Sequence, residues 1–301
     1  MGHLVWHKPR FSTLGPKIEE LADNHPSKPR CLYQLSRLFG SVGNYTECKR
    51  LFTYTLKLQR KRGDDRQVAR TLRQLAFANW AMGLHKEGAQ QAKEGSEISE
   101  RLGDVVEQAR CLIVLARLLR SDEQPDAASR AINLLSKRDQ QFEVCECHQV
   151  LGEICRSKGK TEEAINHFEA ALGIASSFNW HYLLFSVHHS LATLFFDEDR
   201  FDDAQAHVER AKSHTVNDPH PLARAVELEA WLWFKQHRLE EAKSEALRAV
   251  DMFEKLGATV DMEYARGLLR LIAEETGELL ESVPLAVSMG SPCPDRITES
   301  E

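Results

Sequence analysis

Four groups of residues in this sequence are of types that can do chemistry, and their spacing argues against chemistry in each case. Gly159-Lys160-Thr161 matches the closing tripeptide of a phosphate loop. The full motif needs another glycine five residues earlier, where this chain has Ile154, and a strand leading in, where the pattern is helical. Cys145-x-Cys147-His148 offers thiols and an imidazole, but residues two apart on a helix face different ways, so the two thiolates do not converge on one ion. His188-His189 fails for the same reason, and no G-x-S-x-G elbow is present. The paired carboxylates Glu162-Glu163, Asp202-Asp203 and Glu240-Glu241 recur where helices begin, and there they complement the positive end of a helix dipole. The residues therefore predict no catalytic centre, no metal and no cofactor.

That recurrence points to the elements behind it. Residues 151–171 read as a helix, a turn at Lys158-Gly159-Lys160, and a second helix opened by Thr161. Leu151-Gly152, Gly159, Ala164, Phe168 and Ala171 alternate small residues, which let helices approach, with large ones that fill the gaps. The same register returns at Leu35-Ser36, Leu75-Ala76, Leu115-Ala116, Leu191-Ala192 and Glu229-Ala230, in steps of 40, 40, 36, 40 and 38 residues. The matching turn positions are Gly43, Gly83, Glu123, Gly159, Asp199 and His237, and the small second-helix positions are Cys48, Gly88, Ala128, Ala164, Ala204 and Ala242. Glu229 departs from the leucine pattern at its own position.

This pattern resembles the tetratricopeptide repeat. Its period exceeds the roughly 34 residues of the commonest form, and in this it is similar to the longer repeats of kinesin light chain, of the sensor domain of the bacterial maltose-regulon activator, and of the C-terminal arrays on STAND-type (NLR-like) NTPases of fungi. The resemblance covers residues 29–275. It implies an all-α, right-handed superhelix of about six helical hairpins and a closing helix, whose concave face binds a segment of a partner protein. The alternatives are a ligand-sensing array detached from a STAND-type NTPase module, or a helical-array enzyme.

Composition agrees with such an array. The chain has 301 residues, 42% hydrophobic, with a mean hydropathy of −0.42, and no apolar run nears the ~18 residues of a membrane span. The start, MGHLVWHKPRF, has no apolar signal core, and Trp6 stands where a myristoylation signal needs Ser or Thr. Of seven cysteines, Cys31, Cys48, Cys111 and Cys155 read as small core residues of a reduced, cytoplasmic protein. A net charge of −6 argues against a nucleic-acid partner.

In chain order, residues 1–28 are expected to form an atypical N-terminal cap, 29–276 the repeats, and 277–301 a disordered tail. Thr46 is a candidate cap for the second helix. The third repeat is shortened, with a turn at residues 121–125 and a helix from Asp126. On the sixth repeat Trp231 and Phe234 share one helix face and Trp233 points away, a pattern expected to serve packing.

The resemblance also places a groove, lined by first-helix residues five and two before the reference leucine and two, five and six after it. These are Arg30, Tyr33 and Arg37, then Arg70, Arg73, Phe77 and Trp80, then Arg110, Ile113, Arg117 and Arg120, with Glu146, Gln149, Glu153 and Arg156 on the fourth repeat. A basic groove with an aromatic floor implies an acidic, partly apolar peptide as partner, its carboxylates gripped bidentately by arginine. On this reading, reversing Arg73, Arg110 and Arg117 would abolish binding and leave stability nearly untouched. The competing reading pairs these arginines with glutamates of neighbouring helices.

Overall fold

A computed structural model describes residues 16–119, 123–135, 140–215 and 218–277. Arg120, the first fifteen residues of the expected cap, and the expected tail beyond residue 277 lie outside the described residues. The structure is all helical there, six antiparallel hairpins and a closing helix wound into a right-handed superhelix. The hairpins are α1 (Lys28–Ser41) with α2 (Tyr45–Arg62), α3 (Asp65–Ala81) with α4 (His85–Arg101), and α5 (Val105–Leu118) with α6 (Glu123–Leu135). They continue with α7 (Gln141–Ser157) and α8 (Thr161–Ser177), α9 (His181–Asp197) and α10 (Phe201–Ser213), and α11 (Pro219–Lys235) and α12 (Leu239–Leu256), before α13 (Thr259–Thr276).

The period is built into the backbone. Five of the six turn positions have left-handed φ: Gly43 at 77°, Gly83 at 71°, Gly159 at 69°, Asp199 at 55° and His237 at 57°. Asp199 and His237 adopt this conformation at a steric cost that glycine would not bear. The sixth position, Glu123, is not a turn residue: α6 begins there, three residues earlier than expected. Asn44, not Thr46, caps α2 by accepting from the Glu47 amide at 3.2 Å, because the helix starts a residue sooner than the pattern suggested. Asp64 and Asp104 cap α3 and α5 in the same way.

Helix contacts explain the small residues. Ala128, Ala164, Ala204 and Ala242 are fully buried, and a Cβ on Gly152 would lie 2.6 Å from the ring of Phe168, itself fully buried. Cys145 and Cys147 face different core clusters, as their spacing requires. Burial pushes the thiols of Cys48, Cys111 and Cys145 up to about 12, which makes them inert packing groups. Cys31 is only half-buried, short of the core place expected for it. Trp231 is core, and Trp233 packs on the edge with the Arg238 guanidinium 3.9 Å from its ring centre. The part of the cap that is described is anchored on Lys28, whose ammonium donates to the carbonyls of Glu19 and Leu21, to Asp23 and to the Tyr54 hydroxyl.

The superhelix closes on itself. The α1–α2 turn meets α11 and α13, more than 170 residues further along the chain. A Cβ on Gly43 would collide with the His220 ring, 2.6 Å from its Cδ2, and sit 2.9 Å from Ala258, and Tyr45 lies edge-on to His220 at 6.3 Å. His220 in turn holds Asp261 at 3.0 Å. The concave face is thereby rolled into a channel.

Candidate functional site

First helices α1, α3, α5, α7, α9 and α11 line the inside of the superhelix, because each buries its other face against its own hairpin partner. The channel they enclose has a volume of about 1130 Å³. Arg30, Tyr33, Arg37, Arg70, Arg73, Phe77, Trp80, Arg110 and Arg117 all line it. Ile113, Glu146 and Gln149 line it too, whereas Glu153 and Arg156 line a smaller adjoining pocket, and Arg120 lies outside the described residues. The wall holds eight arginines and four carboxylates, a positive balance in a chain of net charge −6.

The arginines fall into two sets. Arg73 Nε donates to Glu107 at 2.6 Å, Arg110 Nε to Glu143 at 2.9 Å, and Arg117 Nη1 to Glu153 at 2.7 Å, each reaching the first helix of the next repeat. Arg156 continues the series to Asp197 at 2.6 Å. Glu107 and Glu143 are almost wholly buried, so these pairs rivet neighbouring repeats together. The expectation that reversing Arg73, Arg110 and Arg117 leaves stability untouched is thus corrected, since each reversal would set carboxylate against carboxylate. Arg30, Arg37 and Arg70, by contrast, have no acidic partner among the described residues. Arg30 and Arg37 are exposed on α1 and Arg70 is half-buried on α3.

The aromatic floor is also partly engaged. Phe77 and Trp80 lie 5.4 Å apart, Tyr45 approaches Phe77 at 6.5 Å, and the Arg117 guanidinium covers Trp80 at 5.2 Å. Across the channel stand Phe142 and Tyr182, the latter 57% exposed into it. Burial raises the carboxyl of Glu146 above the usual range, against the pull of Arg117 and Arg73. Burial likewise pushes Glu227 up to about 8, with Asp261 adding to the rise and Arg224 opposing it.

Several channel residues were missed at the sequence level. The same register carried into the fifth and sixth repeats gives Ser186, His189, Arg224 and Glu227, and Ser186 and Arg224 do line the channel. Tyr45 and His220 had no such signal, since only closure of the superhelix brings them together. Histidine pairs were missed too: His148 meets His167 at 3.2 Å and His188 meets His207 at 3.1 Å, each linking first and second helix at the same repeat position.

The other sequence candidates are placed as follows. Lys160 is exposed and bonds Glu163 at 2.9 Å at a hairpin corner. No group of three or more His, Cys, Asp or Glu among the described residues is arranged to hold a metal ion. No described helix is long and apolar enough to cross a membrane.

Comparisons with known proteins agree with this geometry. The family model of the tetratricopeptide repeat matches residues 146–178. Kinesin light chain-related protein 2 of Arabidopsis thaliana is 26% identical over 275 residues, covering 89% of this chain and 34% of its own length. The chain thus spans about a third of the curated relative it matches. Among solved structures, a Rap protein complexed with Competence and Sporulation Factor superposes with a TM-score of 0.65 at 14% identity, covering 90% of this chain and 83% of that one. A Pyrococcus horikoshii STAND protein with a tetratricopeptide repeat sensor follows with 0.54 at 15% identity, covering 89% and 44%. The repeat period, the matched repeat and the shared architecture make this chain similar to tetratricopeptide-repeat proteins, whose helical-hairpin solenoid fold it shares.

Proposed function

We propose that the chain is a non-enzymatic interaction module whose channel takes an acidic, partly apolar peptide segment of a partner protein. The observation that carries this reading is the set of three cations, Arg30, Arg37 and Arg70, that face the channel with no acidic partner among the described residues. An arginine without a carboxylate keeps its fork of donors available, and a ligand carboxylate is the group that matches that fork. Tyr33 beside them, with Phe142 and Tyr182 on the far wall, supplies apolar surface for the ligand's other side chains. The Rap protein of the same architecture, solved with a bound factor, supports a ligand-holding role for this fold.

The test uses two pools of fluorescein-labelled peptides, one randomised over Asp, Glu, Phe and Leu, the other over Lys, Arg, Phe and Leu. The acidic pool is expected to raise polarisation, with affinity falling as salt rises. The Arg30→Glu/Arg37→Glu/Arg70→Glu variant is expected to lose that signal while melting like the parent. Equal binding of the basic pool, or full binding by the triple variant, refutes the proposal. A second reading, a sensor array serving a STAND-type NTPase module, draws support from the likeness to the P. horikoshii protein. Its test is co-purification with a separately expressed NTPase module encoded beside this chain.

A further inference from the structure

Histidines at heptad spacing face one another along the hairpin of α9 and α10. His181 and His188 lie two turns apart on one face of α9. His207 and His214 are spaced alike on the opposing side, His214 being the residue that ends α10. Because the helices run antiparallel, His188 meets His207, Nδ1 to Nδ1 at 3.1 Å, and His181 meets His214, Nδ1 to Nδ1 at 3.3 Å. The two pairs abut, with the rings of His188 and His214 stacked 5.8 Å apart.

The inner pair, His188 and His207, has a packing explanation. It recurs one repeat earlier as His148 and His167, 40 residues before in both helices, at 3.2 Å. His188 is buried, and the Arg210 guanidinium acts on both inner rings, which disfavours a metal cation there. The outer pair has no such counterpart, since Gln141 and Ile174 stand 40 residues before His181 and His214. His181 is exposed and His214 half-buried, so solvent reaches this pair at the edge of the hairpin.

The outer pair has the spacing of two ligands on one ion. Two nitrogens at the ~2.0–2.1 Å of a zinc–imidazole bond, set at the tetrahedral angle, stand ~3.3–3.4 Å apart. A rotation of both rings about χ2 turns their lone pairs from each other towards an ion beside them. Between two neutral imidazoles one Nδ1 carries the shared proton, and metal binding moves it to Nε2 of the same ring, so the neutral pair loses no proton. The Asn179 amide lies 3.4 Å from His181 Nε2, where its oxygen can accept that proton and orient the ring. Burial, then His181, holds the His214 ring below its ordinary range, which keeps it neutral and its lone pair available at pH 7. No third His, Cys, Asp or Glu among the described residues completes a larger ligand set, so the remaining positions fall to water.

We infer that His181 and His214 form a solvent-exposed site for one divalent transition-metal ion, bound through both Nδ1 atoms. Imidazole ligands select zinc and its first-row neighbours over magnesium and calcium. An ion held there ties the start of α9 to the end of α10, at the edge from which the chain enters the sixth repeat.

The probe is zinc chloride, titrated into the full nitrogen-15-labelled chain and followed by long-range proton–nitrogen NMR of the imidazoles. His181→Gln and His214→Gln assign the two rings. The expected result is saturation with a Kd of about 1–100 µM, roughly half the binding free energy of a four-ligand structural site. Nδ1 of His181 and of His214 should shift together to values of metal-bound nitrogen, with the proton on Nε2. Magnesium chloride at the same concentration should move neither ring. Each single variant should weaken zinc about tenfold or more through loss of one of two bonds, and keep the parent's Tm because both side chains lie at the surface. His148→Gln, in another repeat, should leave the affinity unchanged. Three results would each overturn the inference: no saturation below about 1 mM zinc, zinc affinity that survives both outer-pair variants, or zinc shifts confined to the inner pair or to His148 and His167.

Discussion

Arg73→Glu is expected to destabilise the protein by about 3–5 kcal/mol, and the structure shows why. Arg73 is 18% exposed, and its Nε lies 2.6 Å from a Glu107 carboxylate that is only 3% exposed. Reversal removes the counter-ion from a buried charge and sets a second carboxylate against it. Even with an effective dielectric near 20, two like charges at about 4 Å repel by roughly 4 kcal/mol, so one of them must protonate or swing away. Arg110 gives little relief, since its nearest guanidinium nitrogen to Glu107 is 3.7 Å off and Glu143 holds the other end. The assay is thermal and urea denaturation followed by circular dichroism, where a loss of that size lowers Tm by about 10 °C in a domain this large. Arg70→Glu, one helical turn earlier on α3 and without an acidic partner among the described residues, is the internal control, with a change within about 0.5 kcal/mol. An Arg73→Ala/Glu107→Ala cycle should return a coupling above about 1.5 kcal/mol. Equal melting of Arg70→Glu and Arg73→Glu, or a coupling near zero, would show that the inter-repeat ion pairs do not hold the superhelix.

Three further expectations follow from the geometry. Gly152→Ala gains up to about 1 kcal/mol of helix propensity but drives a methyl into the buried ring of Phe168, for a net loss of about 1–2 kcal/mol measurable as a lower urea midpoint. His188 is held down to about 4 by burial, then by His207, His214 and Arg210. Below the unfolded value near 6.5 the unfolded chain binds the extra proton, so stability falls from about pH 6.5 and the loss is complete near pH 4, on the order of 3 kcal/mol. His188→Gln should flatten the stability profile across that window, and an unchanged slope would exclude His188 as its source. Gly43→Val places a branched side chain at φ 77° against His220 and Ala258, and should part the first hairpin from the last helices. X-ray scattering should then show a larger radius of gyration with helical content retained, whereas an unchanged radius would show that the closure does not depend on that contact.

The sequence by itself determined whatever repeats. A turn at positions 43, 83, 159, 199 and 237 is legible because each needs a residue that tolerates left-handed φ, or is forced into it between two apolar periods. The first-helix register is legible because burial of one face fixes the opposite face: twelve of the fifteen expected groove residues line the channel, Glu153 and Arg156 line the smaller pocket instead, and Arg120 lies outside the described residues. Glu123 was misread because the third repeat is shortened, which shifts the start of its second helix without altering the apolar pattern on either side. Tertiary structure alone decided which arginines are available. Arg70 and Arg73 look alike in sequence, but only the height of Glu107 on the next first helix pairs the one and leaves the other. It also decided that the concave face becomes a channel with a small charged pocket in its floor. Closure sums small rotations over six hairpins until Gly43 meets Ala258, and no local pattern in the chain records that sum.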